Sequence, residues 1–292
     1  MHSHITSISQ AQAHAHKLRS PVRYPGGKFY ARKQILQEIP RHEYYCEPFA
    51  GGASIYFAKP LALKSILNDL DSEVINTFAI IRDYVEPLIS LLMSIPISKK
   101  THSYLKKNYK PQNNLQRAFR WYFLNRISYS GIMKYENCYW GYGTKYSMKH
   151  ENWGEHLRKT SHKLQNTKLI SDDFESVIDS APDNCFLFID PPYYATDQHK
   201  FYIPQFKQAD HERLADCLRR NAKRISFLLT YDDHSAVQEM YDGWTNQCRH
   251  QWNYTISRSD DQRNKLNLKN GYKGSRNLGE ELFIKNYELR SF

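Results

Sequence analysis

The sequence predicts an α/β fold built on a mostly parallel sheet. Three observations carry that prediction. Short apolar runs alternate with amphipathic stretches, several of the runs end in turns bearing acids, prolines or glycines, and one basic, aromatic segment interrupts the alternation.

Residues 1–19 read as a polar tail. His2, His4, His14 and His16 stand there among Ser, Gln and Ala, with no secretory apolar core, and a loose tail is a better reading than a metal site. Phe29 to Ile39 reads as a short helix stopped by Pro40. Tyr44 to Glu47 is a strand, Pro48 to Gly52 a tight turn, Ala53 to Ala58 the start of a helix and Ser65 to Asn68 the next strand. Val74, Phe78, Ile81, Val85, Leu88, Leu92 and Ile95 recur at helical spacing, and Pro87 should break or kink that stripe. Leu115 to Ile127 is a helix; Tyr129 to Tyr146, rich in Gly, Tyr and Trp, reads as loops or a small hairpin. The rhythm then resumes, with strands at Lys168 to Ile170 and Phe186 to Ile189, a helix over Ala209 to Lys223 and a strand over Ile225 to Tyr231. Trp252 to Ser257 and Leu282 to Tyr287 should pair at the sheet edge, with Arg258 to Arg276 as a long polar loop between them. This divides the chain into a sheet domain, residues 20–85 and 166–292, and an inserted segment, residues 86–165.

The apolar runs are far too short to span a membrane. Five widely spaced cysteines with no CxxC pair argue against a disulfide framework or a zinc site, and for a reducing cytoplasm. The net charge of +11 is concentrated: Lys99 to Lys168 holds 15 Lys or Arg against three acids, leaving the rest of the chain near neutral. Trp121, Tyr129, Tyr135, Tyr139, Trp140, Tyr142 and Tyr146 lie in the same segment. Rings among cations favour nucleic acid as the partner, because rings stack on bases or wedge between them.

Three motifs fall at predicted strand ends, where open α/β sheets bind ligands. Glu47-Pro48-Phe49-Ala50-Gly51-Gly52 lets a ligand approach the backbone. Asp69 ends the next strand, seventeen residues past Gly52, a placement suited to ribose hydroxyls. No lysine follows the glycines as in a P-loop, which disfavours a nucleotide triphosphatase. Asp190-Pro191-Pro192-Tyr193 follows the buried run Phe186 to Ile189. Two prolines remove two donors, leaving the carboxylate and nearby carbonyls as acceptors for a planar amino group.

Together with Arg23-Tyr24-Pro25-Gly26-Gly27-Lys28, these motifs stand in an order that resembles the Dam-type family of adenine-specific DNA methyltransferases. The likeness spans about Ser20 to Glu288 and includes Leu124 to Gly131 and Glu281 to Tyr287. It implies a Rossmann-like methyltransferase sheet carrying an inserted, mainly helical DNA-recognition subdomain, with S-adenosylmethionine as cofactor and duplex DNA as partner. By the same resemblance, Tyr24, Gly26, Gly27, Lys28, Glu47, Phe49, Gly51, Asp69, Asp173, Phe174 and Asp190 surround the cofactor. Lys28 is expected near its methionine carboxylate and Asp173-Phe174 near its adenine. Asp190, Pro191, Pro192 and Tyr193 are the implied catalytic residues, holding an adenine flipped out of the duplex. Arg117, Arg120, Arg126, Tyr129, Ser130, Lys134 and Lys145 are the implied DNA contacts. Lys134 stands where enzymes for GATC carry a guanine-reading arginine, and Ser130 replaces an asparagine, so the target need not be GATC. The absence of a Pro-Cys pair argues against cytosine-C5 chemistry. The same tetrad could serve RNA, or the fold could bind DNA without catalysis.

Overall fold

The computed structural model describes residues 18–143, 147–195, 206–253 and 278–288. Seven strands form one sheet in the order β3-β2-β1-β4-β5-β7-β6. They are β1 Tyr44–Glu47, β2 Lys64–Asn68, β3 Thr167–Ile170, β4 Phe186–Ile189, β5 Ser226–Asp232, β6 Asn246–Asn253 and β7 Leu278–Lys285. The first five run parallel; β7 is antiparallel to both β5 and β6. The chain leaves β1 toward β3 on one side and returns at β4 toward β5 on the other. The switch point is therefore the crevice above β1 and β4, where an open sheet of this kind presents its ligand site.

Period-two alternation sorts the strand residues onto two covered faces. Tyr45, Leu67, Phe186, Phe188, Leu228 and Phe283 join one core; Cys46, Leu187, Ile189, Phe227, Leu229 and Tyr231 join the other. β4 is buried along its whole length, which is why it reads as an uninterrupted apolar run. The second face is covered by α8 Phe174–Asp179, α9 Gln208–Asn221 and α10 Ser235–Tyr241.

The first face carries α1 Arg32–Glu38, α2 Ser54–Ala58, α3 Ser72–Asp83, α4 Val85–Met93, α5 Lys99–Lys107, α6 Asn114–Ile127 and α7 Trp153–Leu164. The expected break in the apolar stripe is present, but it falls at Tyr84, three residues before Pro87. Pro87 then sits in the first turn of α4, where its missing N–H has no helical partner to lose. From Ala118 to Ile127 the helix α6 is buried at every position but Arg120, so it forms the centre of the 86–165 segment, packed against α3. Its residues belong to the same core as Tyr45 and Phe186 of the sheet.

The sequence pattern did not reveal α5 and α7. The sequence of α5, Lys-Lys-Thr-His-Ser-Tyr-Leu-Lys-Lys, buries His102 and Leu105 alone, too few apolar residues for a visible stripe. The C-terminal pair of strands forms as expected, but β6 begins at Asn246, six residues early, and it is β7 that lies inside while β6 takes the edge. The polar face of β6 hid it. Residues 254–257 of the expected strand and the loop 258–276 lie outside the described residues.

Candidate active site

Asp190 lies immediately beyond β4, at the switch point. Its Oδ1 accepts from Lys28 Nζ at 2.6 Å and from Thr230 Oγ1 of neighbouring β5 at 3.0 Å. Beyond the diproline, the amides of Tyr194 and Ala195 donate to the two oxygens of Asp232, each at 2.9 Å. Asp232 ends β5, so the tetrad is anchored at its acid and again just past its ring. Thr230 and Asp232 were not singled out in the sequence; their parity along β5 and its place beside β4 identify them.

Lys28 does more for Asp190 than its expected place near a cofactor carboxylate would suggest. Its ammonium is 6 % exposed, lies 3.8 Å from Glu281 Oε1 and 3.3 Å from the Gly26 carbonyl, and stands 4.8 Å above the Tyr193 ring. Burial alone would lower its pKa, but Asp190 and Glu281 outweigh burial and hold it above the ordinary lysine value. Lys28 reaches this position through a turn from Tyr24 to Gly27. The Gly27 amide donates to the Tyr24 carbonyl at 3.1 Å, with Pro25 first and Gly26 second at φ +77°, as a type II turn requires.

The glycine turn after β1 is tied to β2. The Gly51 amide donates to Asp69 Oδ2 at 2.7 Å, and the Asp71 amide to Oδ1 at 2.9 Å. Burial raises the Asp69 carboxyl to about 6, against the lowering by those two amides. Gly51 has φ +45°, and a Cβ there would lie 2.9 Å from the Tyr24 ring, so Tyr24 packs directly on the turn. Asn68 links three loops: its Nδ2 donates to the carbonyls of Pro48 at 2.9 Å and Asp172 at 3.0 Å, and its Oδ1 accepts from the Asp172 amide. Phe49, Phe174 and Phe206 form a triangle of rings with centroids 5.3 to 5.6 Å apart.

Two further expected cofactor residues also have partners within the protein. Glu47 is 2 % exposed; one carboxylate oxygen accepts from Tyr45 Oη at 2.6 Å and from the Tyr56 amide at 2.7 Å. Burial pushes its carboxyl up to about 8, even though both hydrogen bonds pull the other way. Asp173 caps α8 by accepting from the Glu175 amide at 3.0 Å, and its other oxygen is held by Arg213.

The expected DNA contacts divide sharply. Arg117 pairs with Glu73 at 2.6 Å, and Arg120 donates to the carbonyls of Leu105 and Lys106, closing the end of α5. Arg126 is 6 % exposed, hydrogen-bonds the Pro21 carbonyl and lies over the Trp153 ring. These three arginines brace the fold. Tyr129 and Ser130 face solvent, and Lys134 is half-buried; Lys145 and Tyr146 lie outside the described residues. Ser130 adopts φ +53°, a left-handed geometry that asparagine tolerates better than serine. Asn125 fastens this turn to the loop that carries Arg23: it accepts from the Arg23 amide at 2.8 Å and donates to the carbonyls of Arg23 at 2.7 Å and Gly131 at 3.1 Å. Of the expected loops or small hairpin, the described residues show loops with short 3-10 turns and one antiparallel bridge between Ser128 and Trp140. Exposed Tyr135 and Tyr139 flank Lys106, whose ammonium lies 4.7 and 5.4 Å from their ring centroids.

Comparison with known proteins agrees with this geometry. A type II methyltransferase of Lactococcus lactis subsp. cremoris, M1.LlaDCHI, is 25% identical over 77% of this chain and 84% of its own length. The DNA adenine methylase of Haemophilus influenzae is 24% identical over 78% and 84%. The type II methyltransferase M.CviBI of Paramecium bursaria Chlorella virus NC1A is 24% identical over 91% and 98%. The family profile of the D12 class N6 adenine-specific DNA methyltransferases matches residues 24–256 and so takes in the glycine turn, the anchored tetrad and the segment between them. With a seven-stranded sheet whose switch point gathers those motifs, the chain belongs to the D12 class of N6 adenine-specific DNA methyltransferases.

Proposed function

We propose that this DNA adenine methyltransferase takes its methyl group from S-adenosylmethionine and delivers it to N6 of an adenine flipped out of duplex DNA at a specific sequence. The observation that carries the reading is Asp190, an acid held at the switch point by Lys28 and Thr230 and followed by a backbone pinned on Asp232. S-adenosylmethionine supplies an electrophilic methyl on a positive sulfur. The residues along the strand tips suit it: Asp69 has acceptor capacity left for ribose hydroxyls, and Phe49 and Phe174 offer ring faces to an adenine. Tyr24, Gly26 and Gly27 form the turn that leads to Lys28, and the Tyr24 ring packs on Gly51 beside Asp69, so in this reading they too line the cofactor. Glu47 and Asp173 serve this site by shaping its loops.

Adenine N6 is a weak nucleophile because its lone pair is delocalised into the ring. In this reading the Asp190 carboxylate and the Pro191 carbonyl accept its two N–H bonds, which favours a tetrahedral nitrogen with its lone pair directed at the methyl. Pro191 and Pro192 present no N–H to compete. Tyr193 stacks on the base, at about 1–3 kcal/mol by analogy with other base–aromatic contacts. The work of the protein is positioning and electrostatics, with no covalent intermediate on the enzyme.

Tyr129, Ser130, Lys134 and Lys145 are the proposed DNA-facing residues, with target choice residing in residues 129–146. The reading also includes a monomeric enzyme in the cytoplasm, working beside a restriction endonuclease as the type II names of two relatives suggest. No helix among the described residues is long and apolar enough to cross a membrane. The test is tritiated methyl transfer to duplex DNA, followed by long-read mapping of methylated adenines in a methylation-free host. N6-methyladenine at one recurrent motif is expected; label on RNA alone, or none, overturns the reading.

A further inference from the structure

We propose that Glu281 is a positioning residue of the methyl-transfer site, sharing the Lys28 ammonium with Asp190 so that the Asp190 carboxylate is free to take the target adenine. This rests on the reading of Asp190 as the adenine's acceptor.

Glu281 is 2 % exposed and lies near the start of β7, opposite Asp232 of β5. Because β7 runs antiparallel, that position lies at the same sheet end as Asp190. A carboxylate buried in an inner strand is costly unless a charge answers it. Lys28 supplies one: its Nζ lies 2.6 Å from Asp190 Oδ1 and 3.8 Å from Glu281 Oε1.

The arrangement poses a competition. Asp190 Oδ1 already accepts from Lys28 and from Thr230. An adenine N–H arriving there meets an oxygen whose acceptor strength is reduced by a cation. Forming the N6–CH3 bond would break the methyl–sulfur bond, with its electron pair left on the now neutral sulfur; N6 is positive until one of its protons passes, by way of Asp190, to water, and an unanswered ammonium beside Asp190 would oppose that charge in a site of low dielectric. A second carboxylate near the same ammonium removes the opposition. Two acids and one lysine leave one net negative charge at the site, and the ammonium can close on Glu281 when adenine claims Asp190. Fixed on an inner strand, Glu281 requires no loop movement for this exchange.

Single-turnover methyl transfer by the full chain tests it. Glu281→Gln should slow the step roughly tenfold to a hundredfold, while KM for DNA and for S-adenosylmethionine stays within about twofold. The deficit should shrink as pH rises, because Lys28 with one counter-charge fewer releases its proton sooner. Glu281→Asp should restore most of the rate. In a Lys28→Met background, Glu281→Gln should cost nothing further. A wild-type rate in Glu281→Gln, a deficit independent of pH, or an undiminished deficit in the Lys28→Met background each overturns the inference. Should Glu281→Gln fold poorly, Glu281→Asp and the Lys28→Met pair carry the test. Asp190→Ala separates the two readings. Normal transfer there overturns the adenine-clamp reading itself, whereas an inactive Asp190→Ala beside an unaffected Glu281→Gln overturns this inference alone.

Discussion

The strand tips and the basic segment use charge in opposite ways. At the tips, a few charges face one another across the switch point: buried Lys28 and Glu281 and half-buried Asp190, with Asp69 and Asp232 holding backbone amides nearby. In the segment from Lys99 to Lys168 charges are abundant, yet partly exposed Arg117 is paired with Glu73, Arg120 is spent on helix carbonyls, and Arg126 is buried over Trp153. A surplus of charge in one segment thus does not by itself say which of its residues are left for a polyanion. A guanidinium with five donors is an efficient brace for carbonyls, and a folded lobe uses it for that.

The largest effect that can break this comparison is at the tips. Asp190→Ala should reduce methyl transfer by roughly 10²–10³-fold or more while DNA retention on a filter is unchanged. Equal loss of both would show that Asp190 supports the lobe's structure and does not act on the adenine.

Next in size is the joint between the two regions. Asn125→Ala removes a buried side chain that satisfies the backbone of Arg23 and Gly131, and should destabilise the chain by about 2–4 kcal/mol in urea unfolding. A change below about 0.5 kcal/mol would mean that the turn carries its own stability and the two regions are uncoupled.

The third prediction concerns pH. Folded, Glu47 keeps its proton up to about 8, against an ordinary value of 4.5. A raised carboxyl contributes stability that is complete below the unfolded value and is lost as pH climbs through the folded one. Lys59, lowered by burial to about 7, has the opposite slope above that pH. Comparing wild type with Glu47→Gln isolates the first effect: the advantage of the glutamine variant in thermal melting should grow from about pH 5 to pH 8. A constant difference would show that Glu47 ionises normally.

Smallest is Arg117→Gln. Its pair with Glu73 is about one-third exposed, so the loss should be within about 1 kcal/mol, with no change in DNA affinity at fixed salt. A clear fall in affinity, with a shallower salt dependence, would move Arg117 from brace to phosphate contact.

Legibility differed between the two regions for the same physical reason. Strands β1 and β4 are short, mostly apolar and closed by Pro48 and by Pro191-Pro192, and β2 ends in Asn68-Asp69, so Phe186 to Ile189 and the motifs at the strand ends are visible as local patterns. The helix α5 buries one apolar residue, Leu105, the apolar stripe of α7 is only Trp153, Leu157 and Leu164 among charged and polar residues, and the edge strand β6 is largely polar. Their burial is set by neighbours distant in sequence, which so thin a local pattern reports weakly. Glu281 was visible only as part of a final strand; its partner Lys28 lies near the other end of the chain.

By itself the sequence determined the α/β alternation, the order of the motifs and the acid that ends β4, because these follow from side-chain period, turn chemistry and the placement of Pro and Gly. The tertiary structure alone decided that Lys28 meets Asp190, that Thr230 and Asp232 anchor the tetrad, and that Arg117, Arg120 and Arg126 have partners within the protein. Those outcomes depend on which strands become neighbours and which charges are buried together, and a buried charge is answered by whatever group the fold places beside it.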